Sequence, residues 1–246
     1  LLGTDLIRAA SSLPTGSGTS NPIALAVMPH DNFLISANFI TANLSIYAIA
    51  PSTGVAGGGL STISPTFAFA AGAGASSVVV HPSSPWIYTT HSSAGGANIS
   101  VKTMNLSTGA LSATSTASAG TNPYAAAMHP LGTYLYVANM GSNNVSGFSI
   151  NQGTGALAAL AGSPYAASTS PQAIAIDPLG RFLYVLNVGA TTISAYTINS
   201  GTGVLTPTAP ATFAEGGTSP LRMAIDPAGK FLYVSNVGSN NISAFA

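Results

Sequence analysis

Cysteine is absent from this chain, charge is scarce, and nothing in it is long and apolar enough to cross a bilayer. Without cysteine there is no disulfide framework, no thiolate metal centre and no thiol nucleophile, in either a reducing or an oxidising compartment. Charged residues make up 4% of the chain, against about 25% in an average soluble domain. Five basic and five acidic side chains cancel. A phosphate backbone or an anionic membrane would therefore meet no electrostatic footprint, which argues against nucleic-acid binding. The longest apolar stretch, Phe67 to Val80, is interrupted by Gly72, Gly74, Ser76 and Ser77. It falls short of the roughly 20 apolar residues of a spanning helix, so membrane insertion is not expected.

What remains for the surface is Ser, Thr, Asn, Gly and Ala. The chain opens at Leu1-Leu2-Gly3, with neither Met nor a basic segment ahead of an apolar core, as in a processed or excised product. Together these features predict an extracellular or cell-envelope protein.

Against that sparse background one phrase repeats. His129-Pro130-Leu131-Gly132 precedes Leu135-Tyr136-Val137, Asp177-Pro178-Leu179-Gly180 precedes Leu183-Tyr184-Val185, and Asp226-Pro227-Ala228-Gly229 precedes Leu232-Tyr233-Val234. Weaker copies lie at Met28-Pro29 and His81-Pro82. The anchor prolines Pro29, Pro82, Pro130, Pro178 and Pro227 are spaced by 53, 48, 48 and 49 residues. The residues before the first anchor and after the last together make one further period, so the phasing predicts a closed ring of five units in a single domain, 1–246.

Within one unit four short apolar stretches follow one another, as at Ala125 to Met128, Tyr134 to Ala138, Val145 to Ile150 and Ala156 to Leu160. They are of strand length and bounded by turn residues. Asp-Pro-x-Gly matches a type I turn capped by its own carboxylate. Gly141-Ser142-Asn143-Asn144 and Gly238-Ser239-Asn240-Asn241 supply Gly and Asn for positive φ in a tight hairpin. Thr-Gly recurs at Thr53-Gly54, Thr108-Gly109, Thr154-Gly155 and Thr202-Gly203. A four-stranded meander repeated every 40 to 50 residues or so, with both faces apolar, predicts an all-β fold: a five-bladed β-propeller of four-stranded antiparallel blades. The last unit stops after its third strand, and Ile7 to Leu13 is the expected fourth, so that both termini complete one blade. Ala26, Val79, Ala127, Ala175 and Ala224 on the first strands suit a narrow channel.

Leu-Tyr-Val-x-Asn at Leu135 to Asn139, Leu183 to Asn187 and Leu232 to Asn236, followed by Ser-Asn-Asn-Val/Ile-Ser, resembles the YVTN repeats of the lactonase-like β-propeller superfamily. The resemblance covers nearly the whole chain. It implies the propeller fold and admits 6-phosphogluconolactonase-like enzymes, surface-layer proteins and repeat proteins alike. The enzymes of that superfamily resemble one another in a Gly-Pro-Arg-His segment leading into a first strand. The matching places here read Asn122-Pro123-Tyr124-Ala125, Ser170-Pro171-Gln172-Ala173 and Ser219-Pro220-Leu221-Arg222, with Arg222 alone where the superfamily has His.

The polar residues sort into two rings. Met28, His81, His129, Asp177 and Asp226 share one position; His and Asp are competent metal ligands, but each opens a turn that it can cap, and no metal or other cofactor is expected. Asn38, His91, Asn139, Asn187 and Asn236 share the opposite mouth with Tyr124, Gln172 and Arg222. Arg222, His91, Tyr124, Asn139, Asn187 and Asn236 are the candidates for holding a ligand, although an Asn ring also pins its own hairpins and Arg222 has Glu215 as an alternative partner. No catalytic residue is assigned. Asn43, Asn98, Asn105, Asn144 and Asn241 fit the glycosylation sequon, four of them in the hairpin that itself calls for Asn.

The leading expectation is therefore a non-catalytic, exported propeller acting as a structural or interaction module. Its partners would be other copies of itself or cell-surface components, and terminal strand exchange would build a fibre or layer. Mean hydropathy of +0.42 with so little charge favours association. A lactonase-like hydrolase at the axial mouth and a glycan-binding propeller are the alternatives.

Overall fold

The computed structural model describes residues 21–29, 33–49, 60–68, 74–92 and 98–246. Among these residues all the regular structure is β. The first blade comprises β1 (Pro22–Val27), β2 (Phe33–Asn38), β3 (Asn43–Ile49) and β4 (Leu60–Ala68); the second comprises β5 (Ala75–Val80), β6 (Trp86–His91), β7 (Ile99–Met104) and β8 (Leu111–Ala117). β9 (Pro123–Met128), β10 (Tyr134–Asn139) and β11 (Asn144–Ile150) continue the pattern, with an outer edge split into β12 (Leu157–Ala159) and β13 (Tyr165–Ala166). The fourth blade is β14 (Pro171–Ile176), β15 (Phe182–Asn187), β16 (Thr192–Ile198) and β17 (Leu205–Ala214). The fifth is β18 (Pro220–Ile225), β19 (Leu232–Asn236) and β20 (Asn241–Phe245). This is the five-bladed propeller of antiparallel meanders that the repeat predicts. No helix among the described residues is long and apolar enough to cross a membrane.

Burial explains why the second strand reads apolar on both faces. Every residue of β10 is buried, and its side chains alternate between two clusters. Leu135 and Val137 pack with Trp86, Tyr88, Ile99 and Val101 of the preceding blade, whereas Tyr136 and Ala138 pack with Leu183 and Val185 of the next. Each sheet is thus the filling between two others.

The turns have the predicted chemistry, with one revision. Gly180 N–H bonds Asp177 C=O at 2.8 Å with φ of +72°, and the Asp177 carboxylate accepts the backbone N–H of Arg181 and Phe182. Asp226 does the same for Lys230 and Phe231. In the second hairpin, positive φ falls on Asn143 and Asn240 and, in the first and fourth blades, on Ala42 and Thr191; the glycines Gly141 and Gly238 do not carry it.

Closure is the larger revision. The first strands pack in the order β1, β5, β9, β14, β18, but β18 and β1 form no comparable junction. Positions buried at other junctions are open at these two ends. Ile193 of the fourth blade is 2% exposed while its counterpart Ile242 is 70% exposed, and Leu25 on β1 reaches 64%. Among the described residues the five blades form an arc. The expected fourth strand at Ile7 to Leu13 lies outside the described residues, and the fifth sheet has three strands.

Candidate functional site

The mouth at which the first strands begin is shaped by a defect repeated five times. On β1, Pro22 faces Asn38 and Ala24 faces Ala37, so Ile23 is an extra residue. The same slip isolates Ser76, Tyr124, Gln172 and Leu221 in the other blades. Such bulges re-aim the extra side chain and sharpen the local twist. In four blades the residue just before the strand (Asn21, Asn122, Ser170 or Ser219) has positive φ and completes the bend.

Ser76 is committed to structure, its hydroxyl lying 2.7 Å from Pro123 C=O on the next blade and 2.8 Å from Thr90 Oγ1. Tyr124 and Gln172 stay half-buried at the rim, and Gln172 Nε2 lies 3.2 Å from Met140 Sδ on the preceding blade. Both can present a hydrogen-bond donor to a bound molecule. In three blades the bulge has a sequence signal, a proline followed by one variable residue and alanine (Pro22-Ile23-Ala24, Pro123-Tyr124-Ala125 and Pro171-Gln172-Ala173).

Behind the rim the asparagines are buried and turned onto their own hairpins. Asn38 Nδ2 donates to Asn43 Oδ1 and Ser45 Oγ, at 2.6 and 2.8 Å. Asn139 repeats this with Asn144 and Ser146, Asn187 with Ser194, and Asn236 with Asn241 and Ser243. The amide oxygens of Asn139, Asn187 and Asn236 are buried without a hydrogen-bond donor. His91 stands at the fifth such position, 2.8 Å from Ser100 Oγ, and burial, with the nearby Lys102 charge, pushes its pKa down to about 4. It is neutral at neutral pH.

Arg222 does not meet Glu215. Its guanidinium is exposed and donates to Leu221 C=O at 3.0 Å, while Glu215 is buried with Oε2 accepting Gly217 N–H at 2.9 Å. Ala173, the counterpart of Arg222, is packed against the fifth blade. Arg222 therefore marks the face that the fifth blade leaves open.

At the opposite mouth the histidines bridge blades. His81 Nε2 lies 3.0 Å from Gly132 C=O and His129 Nε2 3.2 Å from Gly180 C=O, each on the following blade. Their Nδ1 atoms accept the backbone N–H of Ser83 and Leu131, which caps the turn and fixes the Nε2–H tautomer. No group of three potential metal ligands occurs among the described residues. Of the sequon asparagines, Asn98 is buried, with its amide bonded to Gly120 C=O and Ala119 N–H. Asn105 is exposed and folds back on Ser107 and Thr108 N–H. Asn43, Asn144 and Asn241 accept from the asparagine ring.

A comparison with functionally curated proteins finds none that matches. Among solved structures the chain is similar to a protein from Lactobacillus plantarum, with 22% identity and a TM-score of 0.77 over 92% of this chain and 67% of that one. It is similar to the periplasmic gluconolactonase of Pseudomonas aeruginosa, with 19% identity and a TM-score of 0.75 over 92% and 66%. A protein from Bacteroides uniformis, provisionally assigned as a 6-phosphogluconolactonase, gives 21% identity and a TM-score of 0.77 over 91% and 65%. The chain spans about two thirds of the length of these structures. The family model described as a lactonase with a seven-bladed β-propeller matches residues 57–168 and 159–246. That match overturns the expectation of a non-catalytic structural module assembling on a surface and favours the hydrolase alternative. With the meander, the Leu-Tyr-Val-x-Asn strands and this match in agreement, the chain belongs to the lactonase family of β-propellers.

Proposed function

We propose that the protein hydrolyses a sugar lactone at the bulged mouth. The family match carries the reading, and the mouth supplies groups suited to it. Opening a lactone requires water to attack the ring carbonyl while its oxygen gains negative charge, which oriented donors stabilise. Tyr124 O–H and Gln172 Nε2–H, held by adjacent bulges, fill that role. Arg222, at the neighbouring position on the next first strand, adds positive charge at the edge. Asn139, Asn187, Asn236 and His91 hold the hairpins behind them.

The substrate class follows from charge. Among the described residues Arg222 is the exposed cation at this end, because Arg181 and Lys230 follow the turns of the opposite mouth and Lys102 is buried. A single exposed guanidinium suits a neutral polyhydroxy lactone better than a doubly charged phosphate ester. An envelope or extracellular location accords with the charge-poor surface, and the similar Pseudomonas protein is periplasmic.

The test is acid release in a pH-stat with glucono-δ-lactone and its 6-phosphate. Hydrolysis above the spontaneous rate is expected, faster with the unphosphorylated lactone. Gln172→Ala and Arg222→Ala should each lower kcat/KM by about tenfold, the loss of one charge-stabilising contact. No acceleration over buffer would refute the activity, and full rates in both variants would refute the site.

A further inference from the structure

The second blade departs from the repeat three times on one face. Thr89 on β6 stands where later blades have Val137, Val185 and Val234, and His91 replaces the asparagine of every other blade. On β7, Lys102 takes the place of Tyr47, Phe148 and Tyr196. Thr89 pairs across the strands with Ser100, and Lys102 with Ile87, which packs against Ile35 and Leu44 of the first blade. Side chains two residues apart on a strand share a face, so Thr89, His91, Ser100 and Lys102 all turn towards the junction of the first and second blades. Thr89, His91 and Lys102 are buried there. Ser100 is partly exposed, and Thr116, opposite it on the outer strand β8, is open to solvent.

The change of partner alters the chemistry of the serine. Ser45, Ser146, Ser194 and Ser243 each receive an asparagine Nδ2–H, at 2.8 or 2.9 Å. An amide nitrogen cannot take a proton from a hydroxyl. Ser100 Oγ instead lies 2.8 Å from His91 Nε2, and a neutral imidazole with its proton on Nδ1 accepts the Ser100 O–H. A hydroxyl within hydrogen-bond reach of an imidazole is the pairing of an activated nucleophile. Burial keeps this ring neutral at neutral pH, and the Lys102 charge lies close enough to act on it. Directly across from Ser100, Thr89 Oγ1 is buried with no hydrogen-bond partner among the described residues.

We propose that Ser100 and His91 form a second reactive centre, distinct from Tyr124 and Gln172, at which Ser100 is acylated by an activated ester or a strained lactone. Ser100 Oγ bonds to the acyl carbon while its proton passes to His91 Nε2. The bond from that carbon to the leaving oxygen breaks, and the leaving oxygen takes the proton from His91. The Lys102 ammonium and the Thr89 hydroxyl favour the negative charge that develops on the acyl oxygen. Water then attacks the acyl carbon and gives a proton to His91; the bond to Ser100 Oγ breaks, Oγ takes that proton, and the acid leaves. The serines of the other blades have no such proton acceptor, so the reaction belongs to the second blade.

The test is acylation of the full chain by p-nitrophenyl acetate, quenched in acid, with the acetyl group located by peptide mass spectrometry. An acetyl ester is expected on Ser100, with none on Ser146 or Ser194, and Ser100→Ala should remove it. His91→Asn, which gives the second blade the residue of the other four, should slow acylation about a hundredfold while circular dichroism stays native. No acetyl ester on Ser100, equal modification of Ser146 or Ser194, or an unchanged rate in His91→Asn would overturn the proposal. The mass of the Ser100 peptide is independent of acid release at the mouth, so either reading can fail without the other.

Discussion

His91 stands where four other blades place asparagine, and it is the residue on which acid should act. Burial, followed by the Lys102 charge, lowers its pKa from 6.5 to about 4, so the unfolded chain binds the proton more readily than the folded one. Its contribution to stability is complete above pH 6.5 and is lost as pH falls from there towards 4. His81 and His129 are shifted in the same direction, mainly by burial. His91→Asn should therefore reduce the fall in Tm between pH 7 and pH 4 without abolishing it; an unchanged profile in thermal melts would contradict this. Thr191 is the other exceptional residue. A β-branched side chain at φ of 50° is strained, and Asn143 shows what the position prefers. Thr191→Asn should stabilise by about 0.5–1 kcal/mol in urea unfolding.

At the scale of the element, the third hairpin separates two glycines two residues apart. Gly203 has φ of +71° and no room for a Cβ against Tyr134, whereas Gly201 has ordinary φ and only Asn199 Oδ1 at 3.6 Å. Gly203→Ala should cost about 2–4 kcal/mol, through backbone strain and overpacking together, and Gly201→Ala less than about 1 kcal/mol. Chemical denaturation of both variants checks the pair. The Thr-Gly repeat was readable as a turn, but its reason was not: the ring that forbids a Cβ comes from the preceding blade, nearly 70 residues earlier in the chain. Positive φ in the second hairpin was likewise read at Gly and Asn, while the structure spends it on Asn, Ala and Thr. The bulge that shapes the candidate mouth depends on register between two strands, a property that local sequence leaves open.

Across the whole molecule, equivalent positions lie in unequal surroundings. Ile193 and Ile242 occupy the same place in successive blades, one buried between sheets and the other on the open face. Ile193→Ala should cost about 2–5 kcal/mol and Ile242→Ala no more than about 0.5 kcal/mol by equilibrium unfolding. Equal costs would mean that the fifth blade is covered. The phasing of the prolines predicted a ring. A repeat period counts units but says nothing about the angle between them, which is set by how their facing side chains pack.

By itself the sequence determined the strand order, the turn chemistry, the number of blades and the resemblance to lactonases, because these depend on neighbours within one repeat. Only the tertiary structure decided that the asparagine ring ties down hairpins, that Arg222 and Glu215 stay apart, and that both ends of the arc are apolar. Each of those outcomes depends on which blade lies against which. Side chains identical in sequence become core or surface according to whether a second sheet removes water from them.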